Sequence, residues 1–187
     1  MVKVDILSEI RELFISQGNE AYFGEEVSQF QHAAQALVLA KNQGEDLEMQ
    51  TAAFLHDIGH LLTDPTKQNS TKYGRKDHEW AASEWLRKRK FSERIIKSVE
   101  NHVAAKKYLC FKEPDYFHEL SDASKATLLF QGGVMTESEA EAFEKKMYFR
   151  EMIALRKWDD QAKEVDFETP TLDECLDIIE KYFIQKS

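Results

Sequence analysis

Apolar residues recur at helical spacing along nearly the whole chain, with few glycines and prolines to interrupt them. Ile6, Leu7, Ile10, Leu13 and Phe14 form one stripe, and Gly18-Asn19 closes the helix it predicts. Val27, Phe30, Ala34, Leu37 and Val38 predict a second helix from about Glu25 to Asn42, with Gly44 beyond it as a stop signal. A neighbouring stripe of that helix carries Glu25, Gln29, His32 and Ala36. A third helix is expected from near Asp46 to about Leu61. It contains the run Ala52-Ala53-Phe54-Leu55-His56-Asp57-Ile58-Gly59-His60.

The longest polar stretch follows, Thr63 to Asp77, where Asp64-Pro65, Asn69-Ser70 and Tyr73-Gly74 are turn chemistry. A fourth helix opens near His78 with Ala81, Ala82 and Trp85 on one side. Ser92 can cap a fifth, on which Ile95, Val99, His102, Val103 and Lys106 share a face. Pro114 breaks the chain, and Ser121 starts a short helix that Gly132-Gly133 closes. Thr136 and Glu139 form a capping box for a long helix through Trp158, and Thr171 with Glu174 repeats the device for the last one. No stretch alternates with period two, and no internal repeat is visible. The expected architecture is all-α, a single domain spanning residues 1–187.

Charge narrows the partners. A net charge of -9 over 187 residues argues against nucleic acid, whose phosphates want a basic face, but leaves room for a small anionic ligand in a local patch. Met1 to Asp5 lacks an apolar signal core and no run approaches membrane-spanning length, so a cytoplasmic protein without a membrane partner is expected. Cys110 and Cys175 lie far apart and outside any CxxC pattern, which fits reduced thiols.

Against this background the pair His56-Asp57 stands out. Burying an uncompensated carboxylate or imidazole in an apolar run costs several kcal/mol, and a metal ion compensates both. His60 follows His56 by four, one turn on a helix. One such histidine is more often a hydrogen-bonded core residue than a ligand. Here His32, His56, Asp57, His78 and His102 all fall on predicted helices beside small or apolar neighbours, and Asp159 follows Trp158 at the end of the long helix. Helix bundles build dinuclear sites from inward side chains of this kind. His118, beside Pro114-Asp115-Tyr116, breaks the pattern and reads as a surface residue.

The order H…HD…H…H…D resembles the HD-domain superfamily, an all-α fold. In its dinuclear members the aspartate of the tandem pair bridges two metals. The resemblance thus implies that Asp57 bridges, with His32, His56 and Asp159 on one metal and His78 and His102 on the other. More specific strings surround these positions: Tyr22-Phe23-Gly24-Glu25, Gln29 before His32, His102 through Tyr108, Leu120 through Ser124, Gln131-Gly132-Gly133 and Arg156 through Asp159. Together they resemble the mixed-valence diiron oxygenases of the PhnZ type, the glycine-forming 2-amino-1-hydroxyethylphosphonate dioxygenases. That family often has Gly where Asn101 stands and Arg where Lys107 stands.

The resemblance implies two iron ions (Fe2+/Fe3+) as cofactors, a small phosphonate and O2 as partners, and oxidative C–P cleavage to glycine and phosphate. Lys106 stands one turn from His102, and Ser124 and Gln131 are seven apart, so a charge and two hydrogen-bonding groups could hold a phosphonate, with Arg156 adding a fork. Without the family, a solvated Lys106 and a helix-surface Ser124 would be the simpler readings. In the family, Tyr22 and Glu25 gate the site, the glutamate meeting the substrate ammonium, and His60 is expected near the metals or the phosphonate rather than as a ligand. Three alternatives stay open: a metal-dependent HD phosphohydrolase, a relative acting on a trimethylated or amine-free hydroxyphosphonate, and a degenerate HD domain serving as a regulatory binding module.

Overall fold

The protein is represented by a computed structural model in which residues 2–22, 24–62, 70–71, 74–75 and 77–186 are described. Among them the chain forms α1 (Val2–Gln17), α2 (Gln29–Asn42), α3 (Leu47–Leu55), a 3-10 turn (Ile58–His60), α4 (His78–Lys88), α5 (Glu93–Glu100), α6 (His102–Lys112), α7 (Tyr116–Glu119), α8 (Asp122–Phe130), α9 (Glu137–Glu144), α10 (Phe149–Gln161) and α11 (Leu172–Gln185). The architecture is all-α but for one feature that the absence of period-two patterning did not anticipate. Ser70–Thr71 and Gly74–Arg75 pair as two antiparallel two-residue strands, β1 and β2. The turn dipeptide Asp64-Pro65, Asn69 and Tyr73 lie outside the described residues.

α3 is the hub, packed by α2, α5, α10 and α11. It earns that place by being buried on nearly every side: Met49, Ala52, Ala53, Phe54 and Leu55 are all buried, and so are the polar Gln50 and Thr51. Its start is fixed by Asp46, whose side chain accepts from Met49 N at 3.0 Å. α1 covers α11, and Ile10, Phe14, Phe54, Trp158 and Ile179 belong to one continuous core. A smaller apolar cluster, with Tyr108, Leu109, Phe143 and Met152, ties α6 to α9 and α10. Cys110 and Cys175 are free. No described helix is long and apolar enough to cross a membrane.

Four expected elements end elsewhere. α2 starts at Gln29 because Ser28 and Gln31 form a capping box, so Glu25 precedes the helix and does not continue the His32 stripe. α3 stops at Leu55, and His56 is its C-cap, so His56 and His60 do not share a helix face. The fifth helix divides at Asn101, whose φ of -114° interrupts the α conformation and whose Nδ2 donates back to Lys97 O at 2.9 Å. His102 thereby opens a new helix. The long helix after Thr136 is also two, separated at Tyr148, which takes a left-handed φ of 66°.

Candidate metal centre

The break after Leu55 is what exposes His56 and Asp57 to their neighbours: the chain leaves α3 and tightens into the 3-10 turn at the first residue of α4. Gly59 makes that approach possible, since a Cβ there would lie 2.0 Å from the His78 carbonyl oxygen. Four helices and this turn then bring His32, His56, Asp57, His78, His102 and Asp159 into one buried cluster.

Hydrogen bonds orient the rings. His32 Nδ1 donates to Ala162 O (2.9 Å), His56 Nδ1 to Ala53 O (2.7 Å) and His102 Nδ1 to Val99 O (2.7 Å). Carbonyls only accept, so the neutral tautomer of each ring carries its proton on Nδ1 and turns a bare Nε2 inward. His32 Nε2 and His56 Nε2 then face one another at 3.0 Å, and His78 Nε2 and His102 Nε2 at 3.1 Å. The two facing lone pairs of His32 and His56 repel unless a cation lies between them. A proton is a poor candidate at His56, because burial lowers its pKa to about 4.

Asp57 stands between the two histidine pairs. Its Oδ2 lies 3.6 Å from His32 Nε2 and 3.5 Å from His56 Nε2, and its Oδ1 lies 3.4 Å from both His78 Nε2 and His102 Nε2. Asp159 Oδ1 closes the first group, 3.5 Å from His32 Nε2 and 3.9 Å from His56 Nε2. Asp57 Oδ1 is buried without a hydrogen-bond partner, a state that costs on the order of 1–3 kcal/mol or more for a charged oxygen. Burial opposes its ionisation, yet the surrounding histidines, His56 foremost, hold the carboxyl well below the usual range. Metal–ligand distances of about 2.1 Å put adjacent ligand atoms roughly 3.0–3.4 Å apart. The Nε2–Nε2 separations of 3.0 and 3.1 Å and the 3.4 Å spacings from Asp57 Oδ1 fall in that range, those from Asp57 Oδ2 and Asp159 Oδ1 are wider, and the donor set of imidazoles and carboxylates fits a first-row transition metal. His32, His56, Asp57 and Asp159 form one group able to hold an ion, and Asp57, His60 and His78 a second.

His60 is stacked on His78, ring centroids 4.1 Å apart, and burial pushes its pKa well below the usual value. Tyr22 donates its hydroxyl to Asp57 Oδ2 at 2.8 Å and lies flat on His32, centroids 3.8 Å apart. Burial, then Asp57 and Asp159, push its pKa well above the usual phenol value. Tyr22 and Glu25 belong to one tight turn, in which Glu25 N donates to Tyr22 O at 2.8 Å and Gly24 takes a φ of 80°.

Beside the metal ligands lies a basic recess. Lys106 is only 2% exposed, its Nζ 2.9 Å from Thr127 Oγ1 and 3.4 Å from Ser124 O. Burial and the neighbouring Arg156 lower its pKa to about 7. Arg156 donates through Nη1 to Asp159 Oδ2 at 2.7 Å, through Nη2 to Asp160 Oδ1, and reaches Ser124 Oγ at 3.5 Å. Its Nε contacts Tyr116 Oη at 3.1 Å. Burial opposes its charge, but Asp159 and Asp160 hold the guanidinium pKa well above its usual value. Ser124 is thus brought to both cations. Gln131 is the C-cap of α8 rather than a member of its face, and its Oε1 is buried without a hydrogen-bond partner.

Lys163 was not foreseen. Its Nζ lies 3.4 Å from Ser124 Oγ and 3.8 Å from Glu25 Oε1. The available signal was its position four residues after Asp159. Asp160, which holds Arg156 and Tyr116, was legible as the i+4 partner of Arg156. His118 is exposed on α7.

A family model described as HD domain matches residues 30–131. A 1-hydroxy-2-(trimethylamino)ethyl-phosphonate dioxygenase (glycine-betaine-forming) of Leisingera caerulea is 37% identical over 166 residues, covering 89% of this chain and 84% of that protein. A hydroxymethylphosphonate dioxygenase of Gimesia maris is 38% identical over 156 residues, covering 83% of this chain and 77% of that protein. An uncharacterized protein of Acanthamoeba polyphaga mimivirus is 36% identical over 178 residues, covering 94% of this chain and 80% of its own length.

Proposed function

The chain belongs to the HD-domain family and, within it, to the phosphonate dioxygenases of the PhnZ type; from that premise we propose that it uses O2 to cleave the C–P bond of a 1-hydroxyphosphonate. The substrate we assign is 2-amino-1-hydroxyethylphosphonate, and the products are glycine and inorganic phosphate. One O2 balances this conversion: the C–P and O–O bonds break, both oxygen atoms end in the products, and no further reductant is consumed.

The observation that carries the reading is the position of Asp57, one carboxylate oxygen toward each histidine pair, with a basic recess alongside. His32, His56 and Asp159 would hold one iron, His78 and His102 the other, and Asp57 both. When bound, the irons supply the redox chemistry through which O2 oxidises the substrate carbon. The protein's own part is placement. Lys106, Arg156, Ser124 and Gln131 would receive the phosphonate, the two cations meeting its charge in a site with little water. Tyr22, already bonded to Asp57, would have to yield when substrate reaches the metals, and Glu25 on the same turn would meet the ammonium. His60, stacked on His78, would orient that ring and face the phosphonate.

The test is an aerobic screen for phosphate release from hydroxylated phosphonates, repeated in an anaerobic chamber. Release that stops without O2 supports the reading. Release that continues would assign the site to the HD phosphohydrolases, in which two metals activate water.

A further inference from the structure

Glu25 and Lys163 meet at the edge of the basic recess. Glu25 Oε1 is buried and makes no hydrogen bond, and Lys163 Nζ lies 3.8 Å from it as its ion-pair partner. The same ammonium is 3.4 Å from Ser124 Oγ, where the phosphonate is proposed to sit. Both side chains are largely buried, with relative exposures of 14% and 12%.

The backbone on either side of Lys163 is pinned. Ala162 O accepts from His32 Nδ1, while the Gln35 amide clamps Glu164, donating to its carbonyl at 2.8 Å and accepting from its N–H at 3.0 Å. The lysine therefore leaves a fixed point beside the cluster, and only its side chain is free to choose between Glu25 and Ser124. Glu25 is fixed in turn by its bond to Tyr22 O.

We propose that Lys163 is a specificity-determining residue: its ammonium occupies the place beside Glu25 where a substrate amine would stand, and so sets how strongly the site demands that amine. This rests on the dioxygenase reading and refines it. An amine-free phosphonate leaves the Glu25–Lys163 pair intact, so the carboxylate does not repel it. A cationic substrate must separate the pair, and the released Lys163 then turns to the phosphonate at Ser124. The internal ammonium thereby narrows the difference between the two substrate classes.

The test is anaerobic calorimetric binding of 2-aminoethylphosphonate and ethylphosphonate to the iron-loaded protein, which lack the hydroxyl to be oxidised. In Lys163→Met, ethylphosphonate should weaken more than the amine-bearing ligand, raising the ratio of their affinities by about tenfold, the worth of one lost charge contact of ordinary size. Lys163→Arg should restore the original ratio. In Glu25→Gln, adding Lys163→Met should leave the ratio unchanged, since no carboxylate remains to be neutralised. Equal weakening of both ligands in Lys163→Met would overturn the proposal and leave Lys163 as a plain phosphonate contact; no change would overturn it too. Wild-type phosphate release that needs no O2 would instead overturn the dioxygenase reading, separately from these ratios.

Discussion

Gly59 and His78 approach so closely that a single added carbon would overlap: a Cβ at Gly59 would fall 2.0 Å from the His78 carbonyl oxygen and 2.7 Å from its carbonyl carbon. Backbone cannot swing aside as a long side chain can. Gly59→Ala should therefore push the start of α4 away from the 3-10 turn and carry His78 out of line with Asp57 Oδ1. If the proposed two irons are bound, the expected outcome is a folded protein whose iron content falls from two toward one. Retention of both irons would show that α4 accommodates the shift.

Asp57 is the carboxylate both faces share. Asp57→Asn should lose both metals, because it removes the charge between the two histidine pairs. His32→Ala should weaken chiefly the metal beside Asp159. Metal analysis after purification from iron-supplemented cells distinguishes the two patterns, and equal loss in both variants would contradict a bridging role.

Lys106 opposes stability in the service of binding. Its folded pKa of about 7, against 10.5 for the free side chain, means that below about pH 7 the lysine is charged in both states and its burial is fully unfavourable. Between about 7 and 10.5 only the unfolded chain keeps the proton, so this contribution to stability improves as pH rises through that window. Lys106→Met should raise the melting temperature most at about pH 6, by the equivalent of a few kcal/mol at most, and progressively less toward about pH 9. The same variant should lose phosphonate binding. A destabilised variant at low pH would show that Lys106 is held by compensating contacts beyond Thr127 and Ser124.

Arg156 serves Asp159, Asp160, Tyr116 and Ser124 at once. A lysine there keeps the charge but not the fork. Arg156→Lys should cost roughly 1–3 kcal/mol in denaturant unfolding and weaken phosphonate binding. Weakened binding with unchanged unfolding would assign the guanidinium to the ligand alone.

The histidines and aspartates that converge here were legible in the sequence because buried His and Asp need a physical reason, and six of them beside small or apolar neighbours needed a shared one. Helix existence was legible for the same kind of reason, in the periodicity around Ile6, Phe30 and Ile179. Helix ends were less so. The stop after Leu55 has no glycine or proline at it; it is set by the tertiary approach of Gly59 to His78. The break at Asn101 does carry a local signal, an asparagine whose Nδ2 bonds to Lys97 O, whereas Tyr148 takes its left-handed φ with neither glycine nor asparagine at that position. Glu25 was placed on α2 by its spacing from His32, but the Ser28–Gln31 capping box starts the helix later. Lys163 gave almost no signal, since a lysine after a helix end is usually solvated, and it is the anchoring of its neighbours, Ala162 by His32 and Glu164 by Gln35, that holds it beside the cluster.

The most direct measurement of the central claim follows O2 and phosphate together. With the iron-loaded protein and 2-amino-1-hydroxyethylphosphonate, an oxygen electrode read alongside a phosphate assay should give one O2 consumed per phosphate released, with glycine in equal amount. Phosphate appearing without O2 uptake, or O2 uptake without phosphate, would contradict it.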